Sequence, residues 1–387
     1  MKILVLSFYY APDLCAGSFR TTALVEKLRK NKDVEVEVIT TLPNRYASFS
    51  AEAPAKEQTE NSIIHRVALP PHKSGMFDQA KAFLTYYLQA MDIVELQSYD
   101  AVYATSSRLF TALLGARVAI KKELPLYLDI RDIFVDTIND LLSAKITWAV
   151  KPVFSFIERY AFNRANRINL VSKGFNSYFE GRYVSKEFRW FTNGIDDEFL
   201  VADTKFENSI SESINVLYAG NIGEGQGLHT IIPNLSKRLK VKVTITVIGD
   251  GGRKEQLIKS LDGAENVIVL PPVNRQTLIE EYRKADVLFL HLNDYPAFKK
   301  VLPSKIFEYA ALGKPIWAGV AGYPSEFLNN EVENCAIFKP GDEEDAIRAF
   351  SALKITDIDR KEFKEKYARG GIMEKMAKDI LEFAING

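Results

Sequence analysis

Between Leu302 and Pro315 the sequence reads LPSKIFEYAALGKP. Pro303 and Ser304 are residue types that open a helix, the serine as its cap. Lys305 then falls in the first turn, where the positive end of the helix opposes an ammonium group. The spacing therefore predicts an anion held at the same place. Glu308 follows one turn on, on nearly the same face. With Ser304 capping, the first N–H groups would face a diphosphate and Lys305 would add charge. Glu308 would accept hydrogen bonds from ribose hydroxyls, a task that suits a group able only to accept. A structural reading stays open beside this one, because an acid in a first turn is favoured by the helix dipole alone.

Other residues fit the same chemistry. Small residues crowd four strand-to-helix turns: APDLCAGSFR with Gly17, YAGNIGEGQGL with Gly220, Asn221 and Gly223, VIGDGG with Gly249 and Asp250, and the PSK opening itself. Glycine lets backbone N–H groups approach a ligand, although α/β folds also need tight turns for packing alone. Neither Gly-x-Gly-x-x-Gly after the first strand nor a Walker lysine loop is present, so a nucleotide would be held by another scheme in the second half of the chain. The four histidines, His65, His72, His229 and His291, have no spacing for a metal and read as packing or surface residues.

The elements that must position these residues follow from periodicity. Apolar runs at Lys2–Ser7, Val34–Thr40, Ala101–Thr105, Leu126–Ile130 and Ile168–Val171 alternate with helical stretches such as Thr21–Lys30 and Thr111–Lys121. The polar segment VADTKFENSISES after residue 200 reads as a linker. Strands then resume at Asn215–Ala219, Lys242–Ile248, Asn266–Leu270, Val287–Leu290, Pro315–Gly319 and Cys335–Phe338. Strands interleaved with helices imply parallel sheets covered on both faces. The expected organisation is two doubly wound α/β domains, residues 1–200 and 201–370, with a helix over 371–387 returning to the first. Ligands would bind at the carboxyl ends of the strands, in a cleft between the domains.

Composition agrees and excludes some classes. The 387 residues are 47% apolar and 26% charged, with 50 basic against 50 acidic side chains. Such neutrality gives no field for nucleic acid. Two distant cysteines fit a reduced cytoplasmic compartment. No basic-then-apolar leader precedes the first strand, and no apolar run reaches the length of a membrane span.

Taken together, the AGS turn, LDIRD at 128–132, TNGID at 192–196, YAGNIG at 218–223, VIGDG at 247–251 and LPSKIFEY at 302–309 resemble retaining glycosyltransferases of the GT-B fold. The likeness is to family-four sugar transferases of bacterial O-antigen and capsule assembly, such as L-fucosamine transferases. The resemblance implies two Rossmann-like domains facing across a cleft. It implies a UDP-sugar donor, of N-acetylated hexosamine or deoxyhexosamine type, on the C-terminal domain. A polyprenyl-diphosphate-linked acceptor would bind the N-terminal domain, and no metal would be needed. Carried over, Glu308 would hold the ribose, and Ser304 and Lys305 would face the pyrophosphate. Gly249 and Asp250 would border the nucleotide, and Pro272 and Val273 would flank the base. Gly17 would let the first loop approach the pyrophosphate, and Arg131 and Asp132 would face the reacting sugar or acceptor. Asp132 is the candidate for orienting or deprotonating the acceptor hydroxyl.

Three departures qualify the likeness. Asn221 stands where relatives often carry a base, Gln226–Gly227 where they carry Lys-Gly, and Lys300 where a second glutamate would fall. The inference is that Lys299, Lys300 or Lys305 supplies the charge that stabilises the leaving diphosphate. A UDP-N-acetylglucosamine epimerase-like isomerase and a non-catalytic nucleotide-sugar-binding protein are the alternatives. A dehydrogenase is disfavoured by the missing fingerprint.

A last feature concerns location. Lys145–Arg189 holds nine basic residues against three acids. A helical wheel over 145–162 puts Ile146, Val150, Val153, Ile157 and Ala161 on one side. Trp148, Phe156 and Phe162 fall on the other with Lys145, Lys151 and Arg159. Aromatics among bases suit an anionic membrane surface, while ordinary packing with a solvated face is the plainer reading. Pro152 is expected to break or restart the helix. The protein would then lie peripherally on the cytoplasmic membrane.

Overall fold

A computed structural model describes residues 1–44, 52–70, 76–106, 109–136, 144–201, 213–239 and 242–386. The linker segment after residue 201 and the side chains of Lys145 and Ile146 lie outside the described residues. The chain divides into two compact units, Met1–Asn193 with Arg369–Gly387, and Gly194–Ala368.

The first unit is built on an eight-stranded sheet. Its strands are β1 (Lys2–Leu6), β2 (Glu35–Thr41), β3 (Lys56–Thr59), β4 (Ser62–Val67), β5 (Ala101–Thr105), β6 (Leu126–Ile130), β7 (Arg167–Leu170) and β8 (Glu187–Arg189). They lie in the order β3-β4-β2-β1-β5-β6-β7-β8. Every pairing is parallel except β3 with β4. The central strands are apolar runs buried on both faces, as parallel sheets require. β2 breaks that pattern with Glu37, which is buried. Lys2 Nζ at 2.8 Å and His65 Nε2 at 3.1 Å compensate its carboxylate.

The helix Arg369–Asn386 closes this unit. Met373, Met376, Ile380 and Phe383 sit in one core with Leu24, Leu28, Val36 and Tyr127. Asp379 on the same helix receives the Tyr127 hydroxyl at 2.9 Å, Arg167 Nη1 at 2.9 Å and Arg189 Nε at 2.9 Å. One carboxylate thus ties the last helix to β6, β7 and β8.

The second unit carries a six-stranded, all-parallel sheet. Its strands are β9 (Ile214–Asn221), β10 (Val243–Asp250), β11 (Val267–Leu270), β12 (Val287–His291), β13 (Ile316–Gly319) and β14 (Cys335–Phe338), in the order β11-β10-β9-β12-β13-β14. Leu228–Leu239 and Glu343–Ala352 supply the core around Trp317 and Phe289; Lys305–Ala311 and Tyr323–Glu331 supply that around Tyr309 and Phe307. Gly194–Val201 belongs to this unit. Ile195 bridges to Ala368 and Phe199 is buried beside Tyr282, so the division falls at Asn193 rather than at residue 200.

Two expectations about the helix Ala144–Arg164 are corrected. It runs through Pro152 as one element. Val153, expected in the core, is exposed; Phe162, expected outside, packs on the rings of Phe179 and Tyr183 at 5.3 Å each. The buried side of the helix at this end is marked by those rings and by Ala161, which an isolated wheel cannot locate.

Candidate active site

β9 and β10 end together, with Gly220 opposite Gly249 and Asn221 opposite Asp250. A Cβ on Gly249 would stand 1.9 Å from the Gly220 carbonyl oxygen, so only glycine allows this approach. A Cβ on Gly220 would stand 2.1 Å from Lys305 Nζ. The ammonium of Lys305 therefore lies directly against the end of β9. It also stands 5.5 Å from the centre of the Tyr218 ring, whose hydroxyl donates to the Asn221 carbonyl at 2.6 Å. That ring gives Lys305 a structural seat that compensates for its place in a first turn.

Ser304 does not cap the helix Lys305–Ala311. Its backbone is already right-handed helical, with φ −60° and ψ −27°, and its side chain makes no cap bond. The carbonyls of Pro303 and Ser304 instead accept from Ile306 N–H at 3.2 Å and Phe307 N–H at 3.1 Å. These three-residue bonds tighten the entry and leave no extended residue to act as cap.

Glu308 is largely buried, with 13% of its side chain accessible. Arg275 Nη1 stands 4.0 Å from one carboxylate oxygen and the Tyr282 hydroxyl 3.4 Å from the other. Both distances exceed those of strong hydrogen bonds. Arg275 also pairs with Asp196, and with Glu198 at 3.6 Å. Burial opposes its charge, but Glu308, Asp196 and Glu198 outweigh that and raise its pKa. Sequence reasoning missed Arg275 and Tyr282. Nothing in the local spelling marks them, because their partners lie 79 and 26 residues away. Val273 precedes the helix Arg275–Lys284 and packs half-buried on the core that contains Phe307 and Tyr309.

The loop after β9 is held in part by neutral groups. Asn221 Nδ2 donates to Gln226 Oε1 at 2.7 Å, and Gly223 N–H donates to the same oxygen at 3.2 Å. The two amides that stand in for bases thus bond each other. His291 secures the loop from below. Its Nε2 accepts from Gly341 N–H at 3.0 Å, so Nδ1 carries the proton given to the Gln226 carbonyl at 2.7 Å. Complete burial lowers its pKa to about 4 and keeps it neutral. Glu224, paired to Arg253 at 2.6 Å and accepting from Tyr295 at 3.1 Å, anchors the outer side. Burial raises the Glu224 pKa, but Arg253 and Tyr295 dominate and lower it. Asp250 turns back on its own loop, accepting from Gly251 N–H at 2.8 Å. Lys299 pairs with Asp294 at 2.9 Å. Lys300, half-buried in the same turn, donates its N–H to the Ala297 carbonyl at 3.3 Å.

In the first unit, Gly17 sits inside the first turn of the helix Ala16–Arg29. Arg131, buried, donates to the Ala16 carbonyl at 2.9 Å and so holds that turn. Burial, then the neighbouring Arg20, lowers its pKa. Asp132 is exposed. The buried polar centre is instead Asp129. It accepts from Arg20 Nε at 2.8 Å, Tyr103 at 2.9 Å and Asn169 at 2.7 Å, and Arg20 continues to the carbonyls of Phe191 and Thr192.

Compared with known families, residues 202–369 match the description Glycosyl transferases group 1. That segment resembles the group 1 glycosyl transferases. Among solved structures, the sucrose-phosphate synthase of Thermosynechococcus elongatus is similar over 100% of both chains, at 14% identity and TM-score 0.78. HepE of Anabaena in complex with UDP-glucose is similar over 99% of both, at 16% identity and TM-score 0.68. WaaG, a glycosyltransferase involved in lipopolysaccharide biosynthesis, is similar over 97% of this chain and 95% of that one, at 13% identity and TM-score 0.60. No curated protein sequence matches. The fold is GT-B, two α/β domains with parallel sheets, and the matched segment together with these neighbours supports a glycosyltransferase.

Proposed function

We propose that this glycosyltransferase moves a sugar, of N-acetylated hexosamine or deoxyhexosamine type, from a UDP-sugar to a polyprenyl-diphosphate-linked acceptor with retention, in surface polysaccharide assembly. The observation that carries the donor half is the grouping of Lys305, Glu308, Arg275 and the paired glycines at the ends of β9 and β10. That HepE has been crystallised with UDP-glucose supports the same assignment.

In this reading Glu308 accepts from the ribose hydroxyls. Gly249 and Asp250 border the nucleotide, and Val273 flanks the base through its backbone. Lys305 and Lys300 carry the charge that grows on the leaving diphosphate, the largest demand of such a transfer. Asn221 touches the diphosphate as a neutral donor. Asp132 orients the acceptor hydroxyl and Arg131 holds the first turn of the helix after β1, where Gly17 admits the phosphates. A front-face reaction can use the leaving phosphate as base, so no further base and no metal is required of the chain.

The acceptor half rests on the helix Ala144–Arg164. Trp148 is 82% exposed and Phe156 69% exposed, beside Lys151 and Arg159, a pattern suited to an anionic membrane surface. The protein would thus work peripherally on the cytoplasmic face.

Calorimetric titration with UDP, against GDP, ADP and NAD, tests the donor assignment, and incubation with UDP-sugars and lipid-linked acceptors tests transfer. Selective UDP binding is expected; its absence rejects the reading. The neutral Asn221–Gln226 pair favours one second reading, a protein that binds nucleotide sugar without turning it over. UDP binding with no product from any acceptor would support it.

A further inference from the structure

The first unit holds a cavity of about 450 Å³ that the nucleotide site does not involve. It lies between the helix Ala144–Arg164 and the Tyr178–Tyr183 segment, with Val135 and Asp136 also in its lining. Its charged lining is three bases, Lys151, Arg159 and Arg182, and two acids, Asp136 and Glu158.

Glu158 is buried and has no cation within ion-pair distance among the described residues. Its carboxylate is met by hydroxyls instead, from Tyr178 at 2.9 Å and 3.0 Å and from Tyr183 at 3.1 Å. Arg182 is stacked over the Tyr178 ring, 3.6 Å from its centre, which fixes a guanidinium in the lining. Lys151 has no hydrogen-bond or ion-pair partner among the described residues. Burial raises the Glu158 pKa against its tyrosine donors. Three bases around a polar, walled space suit a phosphoryl group.

The position narrows the source. Trp148, Ser155 and Arg159 recur at steps of seven and four, so exposed Trp148 shares a helix face with two residues of the cavity. An apolar surface directly beside a basic cavity is the layout that a phosphate on a lipid chain would need.

We propose that this cavity receives the phosphoryl group of a lipid-borne phosphate seated on the Trp148 face. The proposal deepens the acceptor half of the function given above and rests on that half, not on the UDP site.

The test uses the full chain carrying Lys305→Ala, which removes the proposed phosphate contact of the second unit. Inorganic phosphate is titrated calorimetrically. Lys151→Glu and Arg182→Ala should each weaken it about tenfold, and Glu158→Gln, which removes a charge but keeps an acceptor for the tyrosines, should tighten it. In a second arm, phosphatidylcholine vesicles containing phosphatidic acid are compared with vesicles of equal charge containing phosphatidylserine. The phosphomonoester vesicles should bind more tightly, and Lys151→Glu should abolish that preference. Phosphate binding unchanged by all three substitutions overturns the site. Solution binding without any vesicle preference overturns the lipid source. UDP titration of the Lys305 wild-type chain is read separately, so a failure of the donor reading leaves these arms interpretable.

Discussion

Glu308 and Lys305 divide the proposed binding work in a way that single substitutions can separate. A charged acceptor meeting two hydroxyls contributes about 2 to 3 kcal/mol. Glu308→Ala should therefore weaken UDP about 30- to 150-fold in calorimetry without moving the melting temperature; unchanged affinity would remove its role. Lys305→Ala acts on phosphate, so UDP should lose more affinity than uridine. Equal losses would assign Lys305 to packing on Tyr218 alone. His291 makes a different prediction. Its folded pKa is about 4, below the unfolded value near 6.5, so the unfolded chain takes up the proton first as pH falls. The stability of the neutral ring is complete above pH 6.5 and is lost between about 6.5 and 4, by about 3 kcal/mol. His291→Gln keeps a donor for Gln226 and an acceptor for Gly341, and its thermal stability should fall less steeply over that window. Identical slopes in wild type and variant would contradict this.

At the scale of elements, much was legible. Lys2–Leu6 and Val287–His291 are short apolar runs bounded by turn residues, and such runs become buried parallel strands wherever helices cover both faces. β3, spelled KEQT and wholly exposed, had no such signature; only its antiparallel neighbour β4 makes it a strand. The two-sided helix Ala144–Arg164 was read at the right place but with two residues on the wrong side, because its orientation is set by rings at 179 and 183. Its exposed aromatics carry the membrane proposal. Trp148→Ala with Phe156→Ala should reduce binding to anionic vesicles in a flotation assay while UDP affinity stays constant. Undiminished flotation would leave that face as ordinary surface. On the last helix, Asp379→Ala strands two arginines and a tyrosine and should cost about 2 kcal/mol in urea unfolding; a neutral result would mean that these partners find water instead.

Over the whole molecule, the chain enters the second unit at Gly194 and leaves it after Ala368, so the first unit is made from both ends of the sequence. Ending the chain at Ala368 removes Met373, Met376, Ile380 and Phe383 from a core they complete. Each lost side chain costs about 2 to 5 kcal/mol, against a domain stability of about 5 to 15. The truncated protein should show residues 1–193 open to proteolysis while the second unit keeps its own melting transition. Resistance of the first unit would show that the returning helix is dispensable. By itself the sequence determined the α/β class, most strands, the glycine turns and the spacing of Lys305 and Glu308 on one helix, because those follow from periodicity and from side chains one turn apart. It could not determine that Ser304 caps nothing, that Asn221 and Gln226 hydrogen-bond each other, or that Arg275 and Tyr282 stand at Glu308. Nor could it determine that Asp129 is buried on Arg20, Tyr103 and Asn169 while Asp132 is exposed. Each of these depends on which groups packing brings within about 3 to 4 Å, and such distances exist only once the sheets have formed.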